Sequence, residues 1–217
     1  MKPSVLIVGL LTLSSAAHAA GTPQNPAYFP PAHLEYAVVR DGEPVGRHVI
    51  EFDRQADTTN VKISTSVAVK VAFITVYLFE HSGLESWRGN QLLSIKSQTN
   101  DDGTQHQLSA MNDGIRLSIS ADGGRGAAPA TILPRSLWNM GVVTQSTLLN
   151  TLDGTVMRIS VQDKGIDVVS AAGGRVQAHH YRISGGLDRD VWFDSANTLV
   201  RMQFAGKDGS NIVYELR

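Results

Sequence analysis

Between Val61 and Phe79 the chain reads VKISTSVAVKVAFITVYLF. Every second position, Val61, Ile63, Thr65, Val67, Val69, Val71, Phe73, Thr75, Tyr77 and Phe79, carries a β-branched or aromatic residue. The opposite parity is polar at Lys62, Ser64, Ser66 and Lys70, then apolar at Ala72, Ile74, Val76 and Leu78. A period of two in such residues specifies β-strand. The pattern predicts that the first half is covered on one face and the second half on both. At ~3.3 Å per residue a single straight strand of this length would span about 60 Å. That is too long for an ordinary domain, so the segment must bend, bulge or break, and the polarity switch puts the break near Lys70–Ala72.

The rest of the chain reads as flanks to that segment. Leu34–Arg40 and His48–Phe52 are strands around the turn-forming Asp41-Gly-Glu-Pro-Val-Gly46. Ser82-Gly83 marks a hairpin turn over His81–Leu84, in a register that sets His81 opposite Glu85 and Phe79 opposite Trp87, because the alternative opposes two glutamates. Leu92–Gln98, Gln105–Met111 and Ile115–Ser120 follow as strands, the last two joined by Asn112-Asp-Gly114, a hairpin signal. Ala121–Ala130, rich in glycine, reads as a flexible loop. Thr131–Thr151 breaks the pattern: Ser136 is a candidate N-cap, and Leu137, Met140, Leu148, Leu149 and Leu152 form apolar clusters, so one or two short helices are expected here. Six more strands follow, at Thr155–Gln162, Ile166–Ser170, Arg175–Ile183, Asp190–Asp194, Leu199–Phe204 and Asn211–Leu216. Eleven or twelve strands with hairpin-length links predict a mainly β fold, a large curved antiparallel sheet or open barrel (a meander) with one short helical insert.

Residues 1–19 have the order of a secretory signal peptide: Lys2, the apolar run Val5–Leu13, and Ala17-His18-Ala19 as a cleavage site, with the cut after residue 19 or 20. Residues 20–33 carry Pro23, Pro26, Pro30 and Pro31 and read as a tether, leaving 34–217 as a single β domain. With no cysteine, disulfides, thiolate metal sites, thiol nucleophiles and N-terminal lipidation are excluded. The expected location is a bacterial periplasm. No apolar run reaches spanning length, so no membrane span is expected. A net charge of −1 without basic clusters argues against nucleic acid as a partner.

Candidate chemistry is sparse. His179 and His180 are adjacent on a strand and point to opposite faces, so they cannot share a metal. With a turn at Gly186-Leu187, His180 would pair with Asp194 and Arg182 with Trp192. Asp188, Asp190 and Asp194 lack calcium-loop spacing. Glu80 and Glu85 read as hairpin-end charges. No nucleophile elbow or phosphate-binding loop is present, no catalytic residue is assigned, and no cofactor is indicated. The aromatic set is more informative: Phe73, Tyr77 and Phe79, with Trp87 opposite, Trp138 in the insert, and Tyr181, Phe193 and Phe204 on later strands could face one side and line an apolar cavity.

Several motifs carry a family resemblance spanning Leu34 onward: Val69-Lys70, Ile74-Thr-Val-Tyr77, His81, Glu85-Ser-Trp87, Thr99-Asn100 with Gly103, Pro134-Arg-Ser-Leu-Trp138-Asn139 and Asp190-Val-Trp-Phe-Asp194. With them the chain resembles the exported bacterial proteins grouped as domain of unknown function 6134, and more loosely group 3108. The resemblance implies no assigned activity and transfers no catalytic residue.

The expectation from sequence is therefore a periplasmic, non-enzymatic protein. Its ligand-binding residues would be Phe73, Tyr77, Phe79, Trp87, Trp138, Tyr181 and Phe193, taking an apolar or lipid-like small molecule, with the segment Leu137–Leu152 as cover for Ala72–Phe79. The alternatives are an envelope hydrolase using His81 with Glu85 or His180 with Asp194, and a structural module that pairs with another envelope protein through a sheet edge.

Overall fold

The alternating segment builds two strands rather than one. A computed structural model describes residues 31–217, so the signal-peptide and most of the tether assignments lie outside the described residues. Strand β3 (Thr59–Val71) ends at a tight turn over Ala72 and Phe73, and β4 (Ile74–Arg88) returns antiparallel with Val71 opposite Ile74. Ala72 takes a left-handed φ of 54°, an unusual position for a residue with a Cβ. The break thus falls where the polarity switch placed it, but it is a reversal.

The expected burial of the second half is not observed. Strand β2 (Glu43–Arg54) stops pairing with β3 at Gly46–Val67, and β5 (Gln91–Asp101) stops pairing with β4 at Asp101–Phe79. Beyond those pairs the β3–β4 hairpin continues as a two-stranded arm. At its tip Phe73 is fully exposed and Ile74 is 70% exposed. The expected turn at His81–Leu84 is absent as well, since β4 runs through Ser82-Gly83 without interruption.

The remaining strands are β1 (His33–Arg40), β6 (Thr104–Asn112), β7 (Arg116–Ala121), β8 (Gly124–Pro129), β9 (Leu133–Pro134), β10 (Thr147–Leu149), β11 (Val156–Ala171), β12 (Gly174–Gly185), β13 (Arg189–Phe193), β14 (Leu199–Ala205) and β15 (Asn211–Leu216). All fifteen form one sheet in the order β8-β7-β6-β5-β4-β3-β2-β1-β15-β14-β13-β12-β11-β10-β9. The first and last strands lie side by side, Val38 against Tyr214, and join two meanders into one surface. Every pairing is antiparallel except the short β9–β10 contact. Two expectations give way here. Ala121–Ala130 is not a loop but a tight turn followed by β8, and the strands expected at Thr155–Gln162 and Ile166–Ser170 are one strand, β11, with a bulge at Asp163–Gly165 where Gly165 takes a φ of 82°.

The helical insert reduces to a single 3-10 turn, Met140–Thr144, capped by the Asn139 side chain accepting from the Gly141 N–H. Gly141 and the β-branched Val142, Val143 and Thr144 disfavour a longer helix, and Thr147–Leu149 joins the sheet instead. The segment Ile132–Leu152 nonetheless lies against the concave face. Leu137, Trp138, Val142, Leu148 and Leu149 are buried in one cluster with Ile50, Phe52, Val61 and Trp87. Each such side chain contributes ~1.5–3 kcal/mol by leaving water. Just after this segment, Gly154 (φ 74°) packs so closely on β7 that a Cβ there would lie 2.7 Å from Ile119 Cγ2. The sheet is curled around its own central segment, which fills one end.

A polar cavity inside the curled sheet

Strand β4 runs along the inside of the curl from the arm to the filled end. Because side chains alternate, Tyr77, Phe79, His81, Gly83, Glu85 and Trp87 all face inward. Tyr77 sits at the base of the arm, where its hydroxyl donates to Asp101 Oδ1 at 2.8 Å. Lys207 Nζ, from the turn between β14 and β15, reaches Asp101 Oδ2 at 3.0 Å and ties the two halves of the sheet together.

At the level of His81 a row of polar side chains crosses the sheet. Tyr36, His48, Thr65, His81, Thr99 and His106 are direct cross-strand neighbours on six successive strands. His48 Nδ1 and Thr65 Oγ1 share a hydrogen bond of 2.7 Å, and His81 Nδ1 and Thr99 Oγ1 share another of 2.7 Å. Burial, together with repulsion from His81 once that ring is protonated, lowers the pKa of His48 to about 3. Burial and the nearby Arg135 guanidinium lower that of His81 to about 4. Both rings are neutral at ordinary pH, with Nδ1 committed to threonine.

Below this row, Gly83 leaves a gap in the wall. A Cβ there would lie 3.4 Å from His81 Nε2 and 3.7 Å from Ile63 Cβ, so a glycine in mid-strand opens space without being required by the backbone. Glu85 forms the floor and is fully buried. Its Oε2 accepts from Trp87 Nε1 at 2.9 Å and from Trp138 Nε1 at 3.0 Å. Trp138 also packs edge-on against Trp87 and Phe52, each with ring centroids 5.2 Å apart. Burial raises the Glu85 pKa, against the opposing pull of the Trp138 and Trp87 indole N–H groups and the nearby Ser136 hydroxyl. Oε1 is buried and has no partner of hydrogen-bonding geometry.

The opposite wall is cationic. Arg135, just after β9, and Arg189, at the start of β13, both line the cavity, and neither forms an ion pair among the described residues. Burial and the charge of Arg135 bring the Arg189 pKa down to about 10, and burial lowers that of Arg135. Both keep their charge at neutral pH. The Arg189 guanidinium carbon lies 3.3 Å from the Phe204 ring centroid, a cation–π contact. Tyr214 completes this side, its pKa raised by burial against the pull of the two arginines. Together these residues enclose a half-open cavity of about 90 Å³. That is room for a few waters or a small polar group.

The sequence-predicted aromatic set is dispersed along this axis. Phe79 lines the cavity. Trp87 and Trp138 lie beneath it as the partners of Glu85, and Tyr77 stands at the arm's base. Phe73 is at the arm's tip, away from the others. Tyr181 and Phe193 face the same concave side, 6.4 Å apart, but pack in the core and do not line the cavity. The paired chemistry proposed from sequence is not formed. His81 and Glu85 bond to other groups, and His180 pairs with Asp190 at 2.8 Å rather than Asp194. The register there is offset by two, with Trp192 opposite His180 and Asp190 opposite Arg182. The reading of Glu85 as a hairpin-end charge also fails, because no turn precedes it. Sequence reasoning missed His48, Thr65, Arg189 and Tyr214, for which only the strand parity offered a signal, and it gave no role to Thr99 and Arg135, which sit inside the Thr99-Asn100 and Pro134–Trp138 motifs.

Fold and site together define the class: a β-barrel-like open sheet curled around an internal segment, with a polar cavity beside it. The chain belongs to the family described as Domain of unknown function (DUF6134), whose model matches residues 36–217. No curated protein matches it. Among solved structures it is similar to the beta-barrel-like protein of domain of unknown function DUF1849 from Brucella abortus, with a TM-score of 0.59 and 12% identity over 85% of this chain and 94% of that one. At that identity the likeness concerns the fold alone. No helix among the described residues is long and apolar enough to cross a membrane.

Proposed function

We propose that this chain is an exported, periplasmic, non-enzymatic protein of the cell envelope that binds part of an apolar or lipid-like small molecule inside its curled sheet. The observation that carries this reading is the cavity itself. It is opened by Gly83 in mid-strand, floored by the buried Glu85 carboxyl and walled by Arg135 and Arg189. The volume excludes a whole lipid, since drug-sized pockets run to ~300–1,000 Å³. The cavity therefore suits one end of an extended ligand, whose remainder leaves past Phe79 and Met202 toward the arm. The signal-peptide pattern at residues 1–19 supports export.

The test is a titration of delipidated protein with a fluorescent apolar probe, followed by displacement with dodecanoate. Saturable 1:1 binding is expected, and linear, non-saturating uptake would sink the reading. Fractionation of the host, with recovery in the periplasmic extract, tests the location separately; retention in the cytoplasm would overturn that part alone.

A further inference from the structure

Arg135 and Arg189 line one cavity from different segments, and neither forms an ion pair among the described residues. Two guanidinium groups held together in a partly desolvated site repel each other, and each retains unused donors. The neutral rings of His48 and His81 and the hydroxyl of Tyr214 stand around them. Asp153 and Asp101 near Arg135, and Asp188 near Arg189, offset this charge in part from outside the cavity, without ion-pair contact. Within the lining the one carboxyl is Glu85, and burial works against its ionisation. Cation pairs of this kind are stable when a mobile anion completes them.

We propose that the cavity is an oxyanion site: Arg135 and Arg189 together grip a carboxylate or phosphate group, which forms the polar end of the ligand. The inference rests on the binding reading above and names the chemistry of the end that enters. A planar carboxylate or a tetrahedral phosphate accepts paired hydrogen bonds from each guanidinium fork, and either fits the available volume. The apolar edge at Phe79 and Met202 then lies where the substituent of that anion emerges. The same chemistry could arrive as a free anion or as the head group of an amphiphile.

The experiment compares four probes on delipidated full-length mature protein and on the double variant Arg135→Met, Arg189→Met, by calorimetry and thermal unfolding at constant ionic strength. The probes are dodecanoate, dodecanol, acetate and inorganic phosphate. The unliganded variant exchanges relief of two mutually repelling buried charges for loss of the Arg189–Phe204 contact, and a single cooperative thermal transition with native circular dichroism shows that it folds. Dodecanoate is expected to bind the native protein at least tenfold more tightly than dodecanol, and that margin should vanish in the variant. Arginine-dependent binding of acetate or phosphate, with no binding of dodecanol or dodecanoate, would uphold the oxyanion site and identify a free anion as its occupant, overturning the apolar-ligand reading. Equal binding of dodecanoate and dodecanol, unaffected by the substitutions, would overturn the oxyanion site and leave that reading intact. Binding of none of the four would overturn both.

Discussion

The indole N–H of Trp138 donates to Glu85 Oε2 at 3.0 Å, joining the internal segment to the middle of the sheet across 53 residues of chain. The same oxygen receives Trp87 Nε1, so one carboxyl group fixes two tryptophans edge to edge. Replacement by leucine would strand two buried indole donors, at ~1–3 kcal/mol each. Glu85→Leu is therefore expected to cost roughly 2–5 kcal/mol in urea unfolding. Glu85→Gln keeps an acceptor for both indoles and should cost under about 1 kcal/mol near pH 5. The pH dependence separates them further. Burial raises the folded-state pKa above the ordinary 4.5, so the folded protein holds a proton that the unfolded chain releases. The stability from this group is full below that ordinary value and is lost as pH rises through the folded one. Unfolding midpoints measured from pH 4.5 upward should fall less in Glu85→Gln than in the native protein.

The two histidines of the polar row predict the opposite limb. Their folded pKa values, about 3 for His48 and about 4 for His81, lie below the ordinary 6.5. On acidification the unfolded chain takes up protons that the folded interior refuses, so stability present above 6.5 declines as pH falls toward the folded values. A tenfold difference in proton affinity is worth about 1.4 kcal/mol, so each ring accounts for roughly a few kcal/mol. His81→Asn can keep the bond to Thr99 through its amide while losing the titration. Its stability should fall less steeply between pH 6.5 and 4 than that of the native protein. An identical slope in urea titrations would show that His81 does not carry the effect.

The strand architecture was legible because alternation at Val61–Val71, Leu92–Gln98 and Ile115–Ser120 is enforced by a one-sided core. Asn112-Asp-Gly114 marked its hairpin for the same local reason. What failed were features set by neighbours distant in sequence. Ala72–Leu78 is apolar on both faces, yet pairing with the flanking strands ends at Gly46 and Asp101, and no periodicity reports where a neighbour stops. Ser82-Gly83 has turn composition, but Gly83 serves interior space. Glu85 resembles a surface charge until Trp138 arrives from the internal segment. The site was partly visible through Phe79, Trp87 and Trp138; its arginines belong to parts of the chain that only the closed sheet brings together.

Gly83 separates stability from binding. A strand glycine confers extra freedom on the unfolded chain, and a Cβ at this position meets only ordinary contacts at 3.4 Å and beyond. Gly83→Ala should therefore unfold at the same or a higher denaturant concentration, by up to about 1 kcal/mol. The added methyl occupies the cavity wall beside His81, so affinity for dodecanoate should fall at least fivefold. A variant that is both stable and unimpaired in binding would place the ligand elsewhere.

The arm gives the contrasting case. Its tip residues Phe73 and Ile74 are exposed and lie beyond the last cross-strand partners of the sheet, so their removal leaves no hole. Phe73→Ser with Ile74→Ser should change unfolding free energy by under about 0.5 kcal/mol, as exposed substitutions do. Binding of dodecanoate should stay within twofold of native, and retention on a hydrophobic resin should drop, because these side chains dominate the apolar surface of the tip. At the base the outcome differs. Tyr77→Phe removes the bond to Asp101, whose carboxyl is pushed up by burial but held below its ordinary pKa by Tyr77 and Lys207. That loss should cost about 1 kcal/mol and raise the Asp101 pKa, read by NMR titration of its carboxyl carbon. If the tip variant loses stability as the base variant does, the arm packs on the body in solution and is not a free extension.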